Sequence, residues 1–336
     1  MALGDLRLIT AADLRRLVSM ADAIGLVRAA FIHLSRGEAE VPLRVPVHGE
    51  EGGIALYMPA AVPPLRALGA KVVSVFPANP ARGLPTITAV VLIQDPATGA
   101  PLGLIEGASL TALRTGAAGG LAAQLLSRQE AQICALFGAG VQGRTQLEAV
   151  CTVRHITQVR VVDRDAPRAA AFAEWARAQP WIRGATVLPA ASPALAVRGA
   201  DIIITATTSP TPVVPTAEVA PGAHLTLIGA FTPQTREVDA DLVARATVVV
   251  DSRAGCLAEA GDLLMAIAEG RFAPERIHAE IGEIAAGERP GRRDPAEVTL
   301  FKSVGTAALD VAVGAAALQR AAEAGAGQVA RLFSTE

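Results

Sequence analysis

The chain has 336 residues, enough for two domains and a large core, and its formal charge of −2 gives no electrostatic case for a nucleic-acid partner. Hydrophobic residues make up 51% but aromatics only 3%, so the core must be built from Ala, Val, Leu and Ile; the three cysteines (Cys134, Cys151, Cys256) are too scattered for a disulfide framework or a metal site. No apolar run approaches the roughly 20 residues that span a bilayer, and "MALGDLRLIT" lacks an apolar signal core, so the expectation is a cytoplasmic protein with no membrane partner.

The N-terminal segment reads as helical. Thr10 can cap "AADLRRLV", and Ser19 can cap "MADAIGLVRAAFIHLSR", which stops at Gly37. A β-rich region follows, with "VPLRVPV", "GIALYMP", "AKVVSVF" and "PTITAVVLIQD" bounded by Gly and Pro clusters; "DPATG" (95–99) is a hairpin turn into "APLGLIEG". From Ser109 to Ser127 a helix rich in small residues is expected. Beyond it strand and helix alternate, through "ICALF", "VRVVD", "ATVLP", "DIIITAT", "HLTLIGA" and "ATVVVDS". That alternation predicts α/β architecture with a doubly wound parallel sheet. After the polar loop "GERPGRRDPAEV", the segment "TLFKSVG" is a short strand or turn, and a long Ala-rich helix closes the chain.

The stretch "LFGAGVQGRTQLEAV" places Gly138-Ala139-Gly140-Val141-Gln142-Gly143 between a buried strand and a helix. In a G-x-G-x-x-G turn the first glycine makes the bend, the second admits a pyrophosphate close to the backbone, and the third lets helix and strand pack. The supporting acid is Asp163, at the end of "VRVVD" and 25 residues after Gly138. A carboxylate there accepts from a ribose 2′-hydroxyl and repels a 2′-phosphate, which leans to NADH; the adjacent Arg164 could face a 2′-phosphate, so NADH or NADPH stays open.

Of 30 basic residues only Lys71 and Lys302 are lysine. Where arginine is the default cation, a retained lysine points to a need for a compact ammonium. Lys71 in "GAKVVSVF" and Arg44 in "VPLRVPV" read as cations within apolar strands, and Arg114 lies on the small-residue helix. Buried cations need partners, and a small carboxylate ligand would serve. The five histidines (His33, His48, His155, His224, His278) show no metal spacing.

The run from "KVVSVFPANPARGLPT" through "LIEGASLTALRTGAAGGLAA", with "FGAGVQGRTQLEAV", "LTLIGAFTPQTREVDADLV", "VVVDS" and "TLFKSVGTAALDVA", resembles the ornithine cyclodeaminase/μ-crystallin family. The resemblance implies a Rossmann domain over 121–304. It implies beside it an α+β substrate-binding and dimerisation domain over 1–120 with 305–336, and a homodimer. Carried over, the substrate-carboxylate cations are Arg44, Lys71 and Arg114, with Thr86 of "GLPT" nearby; Thr205 and Thr207 of "TATTS", and Lys302, Ser303 and Gly305, fall at the nucleotide, a plain structural role being the alternative for Lys302. Cyclodeaminases of the family carry an acid in "GAD-x-P", where this chain has Gly229-Ala230-Phe231-Thr232-Pro233. Phe231 cannot take a proton from an ammonium, so cyclisation of ornithine is disfavoured. The "GAF-x-P" form is similar to that of the family's bacterial Δ1-pyrroline-2-carboxylate reductases. The implied activity is NADH- or NADPH-dependent reduction of a cyclic imino acid to L-proline or L-pipecolate. Lys71 would then hold the carboxylate or favour the protonated imine, and Phe231 would wall the ring. Cyclodeaminase or alanine dehydrogenase chemistry, or a non-catalytic dinucleotide-binding crystallin, are the alternatives.

Overall fold

A computed structural model describes residues 5–332, which divide into two compact units: 5–114 with 306–332, and Thr115–Gly305. The division falls inside the helix Gly107–Leu126. Among the described residues no single helix is long and apolar enough to cross a membrane.

The first unit is built on a seven-stranded mixed sheet. In chain order its strands are β1 (Asp5–Ile9), β2 (Val45–His48), β3 (Ile54–Val62), β4 (Ala67–Val75), β5 (Ile87–Gln94) and β6 (Pro101–Glu106), completed by the C-terminal strand Gln328–Arg331. That last strand lies on the edge beside β1, followed by β6, β5, β4, β3 and β2. From β2 to β6 the sheet is an antiparallel meander, and only β1 and β6 run parallel. The helices Ala11–Leu17 and Met20–Ser35 begin at Thr10 and Ser19, each with a full capping box to Asp13 and Asp22, as their sequences predict. The N-terminal segment is not helical throughout, because residues 5–9 pair with both 103–105 and 328–331. The helix Ala307–Ala324 packs over β3, β4 and β5 and against Met20–Ser35. It sits close because a Cβ at Gly314 would come within 2.9 Å of Ile93 and one at Gly103 within 2.5 Å of Leu318.

The second unit carries an eight-stranded sheet in which every pairing is parallel, which is the doubly wound architecture expected from the alternation. Its strands are β7 (Ile133–Phe137), β8 (Gln158–Val162), β9 (Thr186–Pro189), β10 (Ile202–Thr205), β11 (His224–Leu227), β12 (Thr247–Val250), β13 (Ala279–Glu280) and β14 (Thr299–Lys302). The spatial order is β13-β12-β14-β11-β10-β7-β8-β9. A fully buried strand explains the unbroken apolar run of β10. Ile203 enters one core with Leu225, Leu227 and Val248, while Ile202 and Ile204 enter the other with Leu136, Val159 and Val161. The sheet reverses direction of growth between β7 and β10, so their carboxyl ends form the crevice where such sheets take ligands.

Candidate functional site

Two clusters emerge, one in each unit. In the second unit β7 ends at Phe137 and the chain turns through Gly138, whose φ of +100° is one that side-chain-bearing residues rarely adopt. A Cβ at Gly138 would lie 2.4 Å from the Ala206 carbonyl oxygen, and one at Gly143 2.2 Å from that of Gly138. At Gly140, the N-cap of the helix Val141–Val153, a Cβ would meet only the Arg168 guanidinium at 3.4 Å. So the outer glycines permit packing and the middle one leaves space. No side chain caps this helix, which leaves its N-terminus to attract an anion. Val141, the first helical residue, is 66% exposed.

The turn borders a cleft of about 650 Å³, lined among others by Gly138, Gly140, Asp163, Arg164, Arg168 and Thr207. Asp163 stands at the end of β8, accepting a hydrogen bond from the Ala139 amide at 2.8 Å and another from the Asp165 amide at 3.1 Å. It therefore holds the glycine turn as well as facing the cleft. Arg168, absent from the expectations, reaches over the turn from the helix Ala166–Arg177, with Nε 3.4 Å from the Ala139 carbonyl oxygen and 4.0 Å from Asp163. Its signal in the sequence is weak: an arginine on an exposed first helical turn is ordinarily a solvated one. The uncapped helix, the space at Gly140, and Asp163 with Arg168 beside it and Arg164 on the cleft wall fit a dinucleotide.

Of the residues expected near the nucleotide, Thr205 and Lys302 have fully buried side chains and Ser303 a nearly buried one. Thr205 Oγ1 donates to Glu237 at 2.7 Å, Lys302 Nζ pairs with Asp262 at 2.7 Å, and Ser303 Oγ donates to Asp251 at 2.7 Å. The Gly305 amide also donates to Asp251, at 2.8 Å. Each group has found an internal partner, as desolvated polar groups must. Thr207 alone of these lines the cleft. Phe231, in the turn after β11, is 43% exposed.

In the first unit Lys71 lies on the face of β4 covered by the helix Ala307–Ala324, in register with Met58 and Val91. Its side chain is only 2% exposed, and Nζ donates to Asp310 Oδ2 at 2.6 Å. Arg114 Nε donates to the other oxygen, Oδ1, at 3.1 Å. Asp310 belongs to the first turn of its helix, where the dipole favours an anion. Two buried cations thus share one buried carboxylate, leaving net positive charge. Burial pulls the Lys71 ammonium down to about 8, the Asp310 attraction opposing this and the nearby Arg114 and Arg44 charges adding to it. Arg44 is close enough to be felt electrostatically, but it precedes β2 rather than lying within a strand, and it is half-buried. Pro42 lies before the strand, and Pro46 falls within β2, which is the edge strand of its sheet and so tolerates a missing donor. Thr86 is also half-buried, its carbonyl accepting from the Phe76 amide at 2.8 Å. Asp310 was missed in the sequence, although an acid within "TAALDVAVGAAAL" is the one charge on an otherwise apolar surface.

A sequence model of the ornithine cyclodeaminase/mu-crystallin family matches residues 6–325. A Delta(1)-pyrroline-2-carboxylate reductase of Bacillus cereus is 39% identical over 323 residues, covering 95% of this chain and 98% of the relative. Among solved structures, the Delta(1)-pyrroline-2-carboxylate reductase of Thermococcus litoralis in complex with NADH and L-proline is 41% identical, with a TM-score of 0.90 over 96% of this chain and 99% of that one. An archaeal alanine dehydrogenase dimer with bound NAD is 33% identical, with a TM-score of 0.91 over 98% and 100%.

Proposed function

Because the chain belongs to the ornithine cyclodeaminase/mu-crystallin family, we propose that it is an NADH- or NADPH-dependent reductase of cyclic imino acids. Its substrate would be Δ1-pyrroline-2-carboxylate or the six-membered Δ1-piperideine-2-carboxylate, and its product L-proline or L-pipecolate. The observation that carries the reading is the presence, in one chain, of a dinucleotide-shaped cleft and a buried Lys71–Asp310–Arg114 cluster of net positive charge. Similarity to the Bacillus and Thermococcus reductases supports the choice of substrate.

When bound, the reduced nicotinamide supplies hydride for the C=N carbon. The chain's own groups hold and orient the reactants. Gly140 and the uncapped helix N-terminus take the pyrophosphate, and Asp163 takes the ribose. Arg114, with Nε fixed on Asp310, turns its terminal nitrogens to the substrate carboxylate, Arg44 assisting. Lys71, with its pKa near 8, carries charge at neutral pH and can also give a proton to the imine nitrogen. Phe231 adds an apolar wall and no acid, which argues against ornithine cyclisation.

The test is an absorbance assay of NADH and NADPH oxidation with the five- and six-membered imino acids. Ammonia release from L-ornithine at a comparable rate would overturn the proposal. So would faster oxidation of NADH with pyruvate and ammonium than with either imino acid, which would favour alanine dehydrogenase.

The same reading includes a homodimer. Val45, Tyr57, Val72 and Val90 follow one another across β2 to β5, on one face of the sheet. Val45, Tyr57 and Val90 are 55%, 45% and 39% exposed, an apolar patch that a second copy would cover. Sedimentation of the protein as a monomer at micromolar concentration would refute it.

A further inference from the structure

Glu237 is fully buried, yet its carboxylate receives five donors. Oε1 accepts from the Thr207 amide and the Thr207 hydroxyl, both at 2.7 Å. Oε2 accepts from Thr205 Oγ1 at 2.7 Å and from the Gly229 and Ala230 amides at 2.8 and 3.3 Å. Two loops therefore meet on one side chain: the cleft wall that follows β10, and the turn after β11 that presents Phe231. They approach so closely that a Cβ at Gly229 would fall 2.1 Å from the Thr207 carbonyl oxygen and 2.4 Å from Glu237 Oε1. The main chain of Glu237 extends the connection, its carbonyl accepting from the amide of Val213, another residue of the cleft wall, at 2.8 Å.

Behind Glu237 stands a second buried layer. Asp262 Oδ1 accepts from the Glu237 and Val238 amides at 2.6 and 3.2 Å, and Oδ2 pairs with Lys302. Lys302 thus balances charge beneath the carboxylates, which gives the second retained lysine its use. An uncompensated buried carboxylate would be costly, and a core of this kind could have been apolar if packing were its only task. Instead the arrangement directs five N–H and O–H groups onto one carboxyl, whose pKa burial pushes up while the Lys302 charge and the Thr205 and Thr207 hydrogen bonds hold it down.

We propose that Glu237 is a positioning residue that sets the nucleotide-facing wall at Thr207 and the Phe231 turn in one fixed relation, with Asp262 and Lys302 holding it in place. The proposal rests on the reading of the cleft as a dinucleotide site. Fixing loop walls matters because a displacement of about 1 Å in a binding site can cost about 10²-fold in rate.

The test is Glu237→Gln, which keeps the shape but turns a donor towards one of the two groups of donors. NADH affinity is measured by fluorescence titration of the intact protein, and kcat and KM with Δ1-pyrroline-2-carboxylate, after circular dichroism has established folding. The expected result is NADH affinity weakened by about tenfold and a KM for the imino acid raised by about threefold. A control, Phe172→Leu on the buried face of the helix Ala166–Arg177, should lower Tm without moving either constant. If the wild type binds NADH and folded Glu237→Gln binds it within about twofold as well, the inference fails while the reading of the cleft stands. If the wild type binds neither NADH nor NADPH, the reading itself fails. Should Glu237→Gln not fold, Thr205→Val decides, since it removes one buried donor without reaching the cleft. About threefold weaker NADH binding is then expected, and unchanged binding overturns the inference.

Discussion

The glycine-turn cleft and the Lys71–Asp310–Arg114 cluster solve the problem of holding an anion in opposite ways. The cleft relies on what is missing: no cap on the helix Val141–Val153, no Cβ at Gly140, and amides left for a ligand. The cluster relies on what has been buried, three charged side chains that are 6% exposed or less. A site made of backbone and space should survive modest surface changes around it and fail when space is filled. A site made of desolvated charge should fail as a unit when one member is neutralised, because the others keep their desolvation cost.

The largest effect is expected at Asp310. Asp310→Asn removes the counter-charge from Lys71 and Arg114 while leaving both in the core. Stability should fall by about 3–5 kcal/mol, the range for breaking a buried pair from one side. Turnover of the imino acid should fall by at least about 10²-fold as both cations lose their aim. A variant with wild-type Tm and kcat/KM would mean that Asp310 holds nothing of consequence, and the contrast between the two sites would collapse.

Lys71→Arg comes next. Guanidinium keeps the charge but is larger, planar and does not titrate in the working range. At least a tenfold loss in kcat/KM is expected, equivalent to about 1.4 kcal/mol. The pH profile sharpens the test. With the ammonium pulled down to about 8, Lys71 is charged below that pH and loses its proton as the pH rises through it, so wild-type kcat/KM should decline on the alkaline side of pH 8. In Lys71→Arg that decline should be absent. An identical alkaline limb in both proteins would assign it to some other group.

The two sites were also unequally legible in the sequence, for the same reason. The cleft is read from consecutive residues: a buried strand, three glycines, a helix, and an acid at the end of the next strand, each a local requirement of the backbone. The cluster joins positions 71, 114 and 310, and no local rule connects them until the helix Ala307–Ala324 is laid across β4. Lys71 and Arg114 attracted notice as cations among apolar residues; their shared carboxylate did not, because its partners lie 239 and 196 residues away. Glu237 escaped in the same way, since all five of its donors are main-chain or threonine groups without any sequence signal of their own beyond a threonine-rich loop. Residues 5–9 and 328–331 were missed as strands because both form through distant pairing: 328–331 with residues 5–8 at the other end of the chain, and 5–9 also with 103–105. Lys302 was noticed correctly as an exception to the arginine background, but that background cannot distinguish an ammonium used on a ligand from one used on Asp262.

The glycines separate packing from ligand space. Gly143→Ala places a methyl against the Gly138 carbonyl oxygen and should cost about 1–3 kcal/mol of stability, seen as a lower Tm. Gly140→Ala meets only the movable end of Arg168 and changes an N-cap, a loss of about 1 kcal/mol or less. Its effect should fall instead on NADH, with affinity about tenfold weaker because the methyl stands where the pyrophosphate approaches. If Gly140→Ala lost stability but kept NADH affinity, the space at Gly140 would belong to packing and not to the cofactor.

The smallest expected effect is the most discriminating about cofactor choice. Asp163 meets three demands at once: it holds the Ala139 amide, it lies 4.0 Å from the Arg168 guanidinium, and it faces the cleft. Asp163→Ser keeps an acceptor but removes the negative charge that would repel a 2′-phosphate, leaving Arg164 and Arg168 to meet it. Both arginines are exposed, so each contact is worth only the 0.2–1 kcal/mol or so of a solvated pair. The ratio of kcat/KM for NADPH over NADH should therefore rise by about fivefold, not by orders of magnitude. Part of any loss with NADH comes from a looser Ala139, and that part weakens both cofactors alike, so the ratio isolates the charge. A ratio unchanged from wild type would mean that the ribose lies elsewhere in the cleft and that Asp163 serves the glycine turn alone.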